Sequence, residues 1–287
     1  KTAYEIHERL VGSEMCIRDR RYALNTTKIY KSFKWVPYKK FKNGLAETFE
    51  WYSKNYEFFS YFSKKKFFKR FGINIQYVEQ DKPRGLPDAF ILGEQFIGKD
   101  NIALILGDNF FYGQSLTEKL KNCIKLNEGC KILVHPVNKP ELYGIAKTNS
   151  KNKITSIVEK PKNSSSNLAI TGLDFFDNNV IKYSKSLNPS KRKELEIVDL
   201  LNKYRKQKKL NAEFLGRGGA WLDTGSIDDF YNTSTFVSTL ENRQGFKIAC
   251  LEEIALKYSW INKKNIKEAI GFYGNCIYSD YLKKLIQ

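Results

Sequence analysis

NIALILGDN, residues 101–109, is the stretch that decides the fold. Ile102 to Leu106 form an apolar run too short for a packed helix, and Gly107-Asp108-Asn109 closes it with turn residues, so the run reads as a near-continuous buried strand. In open α/β sheets ligands gather at the carboxyl ends of strands, which presents Asp108 where a site forms; a strand-ending Asp-Asn is equally ordinary turn chemistry. Working outward, INIQYV (73–78) has the period of two of a half-buried strand, and PDAFILGEQFI (87–97) reads as a helix. KILVHPV (131–137), GIAKTN (144–149), KITSIVE (153–159) and LAITGLDFF (168–176) read as further strands. Beyond about residue 226 the pattern is mostly helical. Strands alternating with helices predict an α/β fold with helices on both faces of the sheet.

A second acid stands in Gly218-Gly219-Ala220-Trp221-Leu222-Asp223-Thr224-Gly225-Ser226, where the glycines allow close backbone approach and Thr224 to Ser226 open the next helix. Two carboxylates, Asp108 and Asp223, converging on one point suit Mg²⁺, a hard cation that prefers oxygen ligands and substrate phosphates. Glu159-Lys160-Pro161 reads either as a surface turn or as a strand end carrying an acid and a base into a site. His135, on an apolar strand, reads as a satisfied structural histidine.

The formal net charge of +18 raises nucleic acid or an anionic membrane as partners. The excess is local: residues 21–71 hold thirteen basic and three acidic residues, among them Lys64, Lys65, Lys66, Lys69 and Arg70. A boundary near residue 70 follows, and the lysine run reads as a solvated face, so no nucleic-acid partner is expected. The five cysteines (Cys16, Cys123, Cys130, Cys250, Cys276) make no CxxC pair and read as reduced, mostly buried thiols. No run reaches the roughly 18 apolar residues of a membrane span, and residues 1–20 lack the apolar core of a signal peptide, so a cytoplasmic protein is expected.

In order along the chain come GLPDAF (85–90), LGDN (106–109), YGI (143–145), VEKP (158–161), ITGLDFFD (170–177), ELEIVDL (194–200), WLDTG (221–225) and NRQG (242–245). Residues 72–287 thereby resemble glucose-1-phosphate thymidylyltransferase. The resemblance implies a Rossmann-like mixed sheet of the nucleotide-diphospho-sugar transferase type with a helical carboxyl-terminal part, Mg²⁺ as cofactor, dTTP and glucose 1-phosphate as substrates, and a homotetramer. It implies that Gln80 and Gly85 recognise the thymine edge and that Asp108 and Asp223 hold the metal. Tyr143, Gly144 and Glu159 would meet the sugar, with Lys160 at its phosphate, Gly172 lining the hexose, and Glu196 and Trp221 forming the wall. Tyr112, Arg217 and Glu253 would belong to a regulatory nucleotide site. Arg84, Pro87, Val198, Leu201 and Gly219 depart from the family's usual residues.

The family opens with a strand and a GGxGTRLxPxT loop that wraps the triphosphate, and residues 1–72 contain no Gly-Gly pair. The expectation is a chain without its amino-terminal strands and with impaired activity. The alternatives are a noncatalytic nucleotide-sugar-binding remnant and a related uridylyl- or cytidylyltransferase. Residues 20–70 resemble the carboxyl-terminal end of dTDP-glucose 4,6-dehydratase, through Arg20-Arg21-Tyr22-Ala23, Lys28-Ile29, Trp35-Val36-Pro37 and Trp51-Tyr52. That family's GxxGxxG loop is not found there, so no dehydratase activity carries over. The stretch predicts a short helix capped at Asn25 or Thr26. A second, opening at Asn43-Gly44, would put Leu45, Phe49 and Tyr52 on one packed face. VGSEMCIRDR (11–20) resembles a translated sequencing adapter, the alternative being a genuine, poorly ordered terminus. The chain is thus expected to be a chimera of residues 1–20, 21–71 and 72–287.

Overall fold

The computed structural model describes residues 30–31, 34, 41–54, 71 and 73–287. The chain divides into two compact units, one of residues 78–238 and one of residues 1–77 with 239–287.

The first unit is built on a six-stranded sheet: β1 (Ile102–Ile105), β3 (Cys130–Pro136), β4 (Gly144–Thr148), β5 (Ile154–Glu159), β6 (Leu168–Phe176) and β7 (Leu210–Phe214). The order is β5-β4-β6-β3-β7. β3–β7 is parallel, and the pairs β3–β6, β4–β5, β4–β6 and β1–β6 are antiparallel. The outer edge of β6 is shared: Leu173–Phe176 pair with β1, while Leu168 and Ala169 pair with β4. Gly172 lies between the two stretches at φ 73, and a Cβ there would come within 2.6 Å of Leu106 Cδ1, so a side chain is excluded.

Period-two alternation sends Ile132, Val134 and Phe176 to one face of the sheet and Leu133, Leu173 and Phe175 to the other. The first face is covered by α2 (Asp88–Leu92), α5 (Asn179–Lys185) and α6 (Ile197–Lys206), which contribute Phe90, Val180, Leu200, Leu201 and Tyr204. The second carries α4 (Leu116–Ile124), through Leu116, Leu120 and Cys123, and the ribbon of β2 (Asn109–Gly113) and β8 (Gly219–Asp223), through Phe111 and Trp221. The expected α/β class with helices on both faces is therefore present, in a mixed sheet that is mostly antiparallel.

The second unit packs Phe71, Cys250, Ala255, Ile261, Ile266, Ala269, Tyr281 and Leu282 together. α8 (Leu251–Lys257), α9 (Lys263–Tyr273) and α10 (Ile277–Lys284) supply most of them. α9 opens with a capping box between Asn262 and Asn265. The unit boundary falls within α7 (Ile227–Gln244). Among the described residues no helix is long and apolar enough to cross a membrane. Cys123, Cys130 and Cys250 are buried free thiols, and Cys276 is an exposed one.

Several expectations change. INIQYV is not a strand: no described residue pairs with residues 73–78, and Ile73, Tyr77 and Val78 are exposed. Residues 87–97 form two short helices, α2 and α3 (Glu94–Ile97), because Gly93 interrupts the run. β1 is not continuously buried: its burial alternates, because of the described strands it pairs with β6 alone, and Ile105 is 58% exposed. The helix α1 (Phe41–Lys54) forms, but Leu45 and Phe49 are exposed rather than packed. The helix expected near Asn25, the side chain of Tyr52 and all of residues 1–20 lie outside the described residues. His135 is not fully satisfied: its Nδ1 is buried with no hydrogen-bond partner among the described residues, and burial pushes its pKa down, toward the neutral ring.

Candidate active site

The site begins with the β2–β8 ribbon. NFFYG and GAWLD pair antiparallel with Phe111 opposite Trp221 and Asn109 opposite Asp223, an aromatic cross-strand pair that fixes the register. Asp108 precedes β2 and Asp223 ends β8, so both acids come to the same end of the ribbon. Thr224 seals that end, its amide and its hydroxyl each donating to the Asp108 carbonyl oxygen at 2.8 Å.

Asn109 spans the gap between the acids and the aromatic wall. Its Nδ2 donates to Asp108 Oδ1 at 2.8 Å, and its Oδ1 accepts from Trp221 Nε1 at 2.5 Å. Asp223 Oδ1 accepts from the Gly225 amide at 2.9 Å. Burial pushes the Asp223 carboxyl up, as do the charges of Asp108 and Asp229, against the Gly225 amide and the Lys160 ammonium. This donor set carries more negative charge than the nearby lysine offsets, which is the condition a divalent cation relieves. Two carboxylates suit Mg²⁺, which keeps several waters and takes substrate phosphates. Among the described residues no group of three or more His, Cys, Asp or Glu side chains has metal-holding geometry.

On the sheet beside the ribbon, Gly144 on β4 stands opposite Glu159 on β5. A Cβ on Gly144 would lie 3.0 Å from Glu159 Oε2, so the carboxylate folds back over the glycine. Lys160 follows at φ 43, a left-handed conformation uncommon for lysine, and its amide donates to the Tyr143 carbonyl at 3.0 Å. Tyr143 sets its ring edge-on to Trp221, with centroids 5.1 Å apart. Burial pushes the Tyr143 hydroxyl up, helped by Asp223 and Asp229. Tyr143, Lys160, Trp221, Asp223 and Asp108 are thus one electrostatic neighbourhood.

A second rim comes from the turn before α6. Glu196 accepts from Ser190 Oγ at 2.6 Å and from Arg192 at 2.7 and 3.2 Å. Burial would push the Glu196 carboxyl up, but these bonds outweigh it and hold it below the usual range. The charge of Glu159 reaches Arg192. The Leu195 amide donates to the Arg84 carbonyl at 2.7 Å, tying this rim to the 80–88 loop that carries Gln80 and Gly85. Gly85, at φ 92, passes so close to Leu195 that a Cβ would lie 2.0 Å from its carbonyl oxygen.

A family model of nucleotidyl transferases matches residues 30–239. The glucose-1-phosphate thymidylyltransferase of Neisseria meningitidis serogroup A is 43% identical over 217 residues, covering 76% of this chain and 75% of that one. The chain belongs to the glucose-1-phosphate thymidylyltransferase family of nucleotidyl transferases. A solved glucose-1-phosphate thymidylyltransferase from Bacillus anthracis, in complex with sucrose, superposes with a TM-score of 0.52 at 36% identity, over 58% of this chain and 67% of that one. UDP-glucose pyrophosphorylase with UDP-glucose bound superposes at 0.52 and 24% identity, over 57% and 66%, a likeness of fold alone.

The nucleotidyl transferase match begins inside the basic 21–71 stretch. Of the residues expected to regulate this family member, Tyr112 lies on β2 with its ring against Phe236, and Arg217 is exposed in the turn before β8. Glu253 belongs to the other unit, where it accepts from Tyr281 Oη at 2.6 Å. Sequence reading missed Asn109, Arg192 and Asp229 as site members. Asn109 had a signal, standing beside Asp108, but the charges of Arg192 and Asp229 are indistinguishable in sequence from solvated surface.

Proposed function

We propose that this nucleotidyl transferase joins dTTP and glucose 1-phosphate into dTDP-glucose, releasing pyrophosphate. The observation that supports it best is the convergence of Asp108 and Asp223 with Lys160 and the Tyr143–Trp221 pair in one neighbourhood. Asp108 and Asp223 hold Mg²⁺, which when bound neutralises charge developing on the phosphates. Lys160, whose charge reaches Asp223, binds the phosphate of the sugar. Glu159, Gly144, Tyr143 and Gly172 surround the hexose, with Glu196 and Trp221 as its wall. Gln80 and Gly85 read the base. A sugar phosphate is already ionised near neutral pH, so its oxygen attacks the α-phosphorus without a general base; alignment and electrostatic stabilisation supply the acceleration.

We assign residues 72–287 to the nucleotidyltransferase body, helical from about 226, working as a cytoplasmic homotetramer. Residues 21–71 are a basic dehydratase-like segment and 1–20 an adapter-derived one. Tyr112, Arg217 and Glu253 are assigned to regulation. Because residues 1–72 contain no glycine-rich triphosphate loop, a polypeptide of these 287 residues binds nucleotide sugar but turns over poorly. The test is calorimetric titration with dTDP-glucose beside an assay of dTDP-glucose formation with Mg²⁺. Binding with little turnover is the expected result. Ordinary turnover overturns the impairment alone, and preference for uridine or cytidine nucleotides overturns the choice of base.

A further inference from the structure

Gln80 is exposed, yet one end of its side-chain amide is tied down: Nε2 donates to Asp88 Oδ2 at 2.7 Å. Asp88 opens α2 and is 5% exposed. The same Oδ2 accepts from Arg84 Nε at 3.1 Å, and Arg84 reaches Asp81 at 2.9 Å through its other nitrogens. A carboxylate paired with a guanidinium only accepts hydrogen bonds, so the amide end that faces it is the NH₂. Turning the amide over would set Gln80 Oε1 against Asp88 Oδ2, lone pair to lone pair. The free end of Gln80 is therefore Oε1, which accepts no hydrogen bond among the described residues and has no proton to give. The loop cannot easily relax around this arrangement, because the Leu195 amide holds Arg84 and the Asp88 amide donates to the Gly85 carbonyl at 3.2 Å.

We propose that Asp88 and Arg84 are a positioning pair that locks Gln80 with its carbonyl oxygen outward, selecting pyrimidines with an N–H at ring position 3 over those with a lone pair there. The inference rests on the reading of Gln80 as the base-facing residue. Thymine and uracil offer the donor that Oε1 needs; cytosine offers an acceptor and leaves both groups unsatisfied. Such a mismatch weakens binding about tenfold or more. Asp88→Asn combined with Arg84→Met keeps an amide of the same shape at position 88 and removes the guanidinium N–H that would otherwise hold the new carbonyl oxygen toward Gln80. Both amides are then free to turn over together, presenting the Gln80 NH₂ to a base with a lone pair at position 3.

The test is calorimetric binding of dUDP and dCDP to the whole chain, two nucleotides that differ only in the pairing groups of the ring. The wild type should favour dUDP about tenfold or more, R84M/D88N should narrow that ratio about fivefold or more, and R84M alone, which leaves the carboxylate facing the Gln80 NH₂ but removes its support from a partly exposed position, should narrow it less. Melting curves of both variants report folding, and R84M carries the test if R84M/D88N is unstable. A wild-type ratio retained in both variants, or equal losses for both nucleotides, overturns the locking role while leaving the base site intact. A wild type that binds neither nucleotide, or both equally, overturns the inference, the former together with the proposed base site.

Discussion

Asn109 and Trp221 are joined across the β2–β8 ribbon by a 2.5 Å hydrogen bond, and the other end of the same amide holds the Asp108 carboxylate. One side chain thus ties the aromatic wall to an acid of the metal pair. Asn109→Ala should leave the nearly buried indole N–H unpartnered, at about 1–3 kcal/mol of stability, and free Asp108 to swing. Thermal denaturation and Mn²⁺ titration read the two effects. Asn109→Asp should keep the indole bond but repel Asp108; a variant that melts early yet binds Mn²⁺ normally would break the proposed link.

Asp108→Asn and Asp223→Asn should each weaken Mn²⁺ binding at least about tenfold. Because the Asp223 carboxyl titrates above its ordinary range, protons compete with the cation as pH falls through that raised value. Wild-type affinity should drop as the solution is acidified, and Asp223→Asn should show a flatter pH profile.

Asp174 carries a different pH signature. It is fully enclosed on β6, opposite Ile132 and Leu104, with no hydrogen-bond partner for Oδ1 among the described residues, and burial pushes its pKa up to about 7. An acid raised in the folded state is protonated there while the unfolded chain is ionised. Stability is thus highest below the unfolded value near 4 and is lost as pH rises toward about 7. The full loss is about 4 kcal/mol. Denaturant unfolding of Asp174→Asn should match the wild type near pH 4 and exceed it above pH 7. Parallel curves across that range would place the charge elsewhere.

Gly85→Ala should damage nucleotide binding far more than global stability. The φ of 92 costs an alanine about 1–2 kcal/mol, and the overlap with the Leu195 carbonyl moves the loop away from the 190–196 turn. Titration with dTDP-glucose alongside a melting curve separates the two; a normal affinity would show that the loop is not part of the site.

Strands β3 to β6 were legible because each is a short run rich in β-branched or aromatic residues. INIQYV is such a run and alternates as well, yet a strand exists only where another lies beside it, and a single sequence names no partner. The α2–α3 break depends on one glycine that a periodic reading passes over. Asp108 and Asp223 were legible as acids after strand-like runs. The bond between Asn109 and Trp221 was not, since it joins residues 112 apart through a register set only when the ribbon folds. The Gln80–Asp88 lock was hidden for the opposite reason: the two stand only eight residues apart, and Asp88 reads as an ordinary acid at a helix start until burial distinguishes it.

The split edge of β6 sets a hierarchy of opening. Leu173 to Phe176 pair with β1 on one side, and Asp174 to Phe176 with β3 on the other, so neither side of this half of β6 is a free edge. The β4–β5 hairpin touches β6 at two register positions only. In deuterated water the hairpin should take up label early and independently, leaving the distal half of β6 as the last protected island before the unit comes apart as a whole.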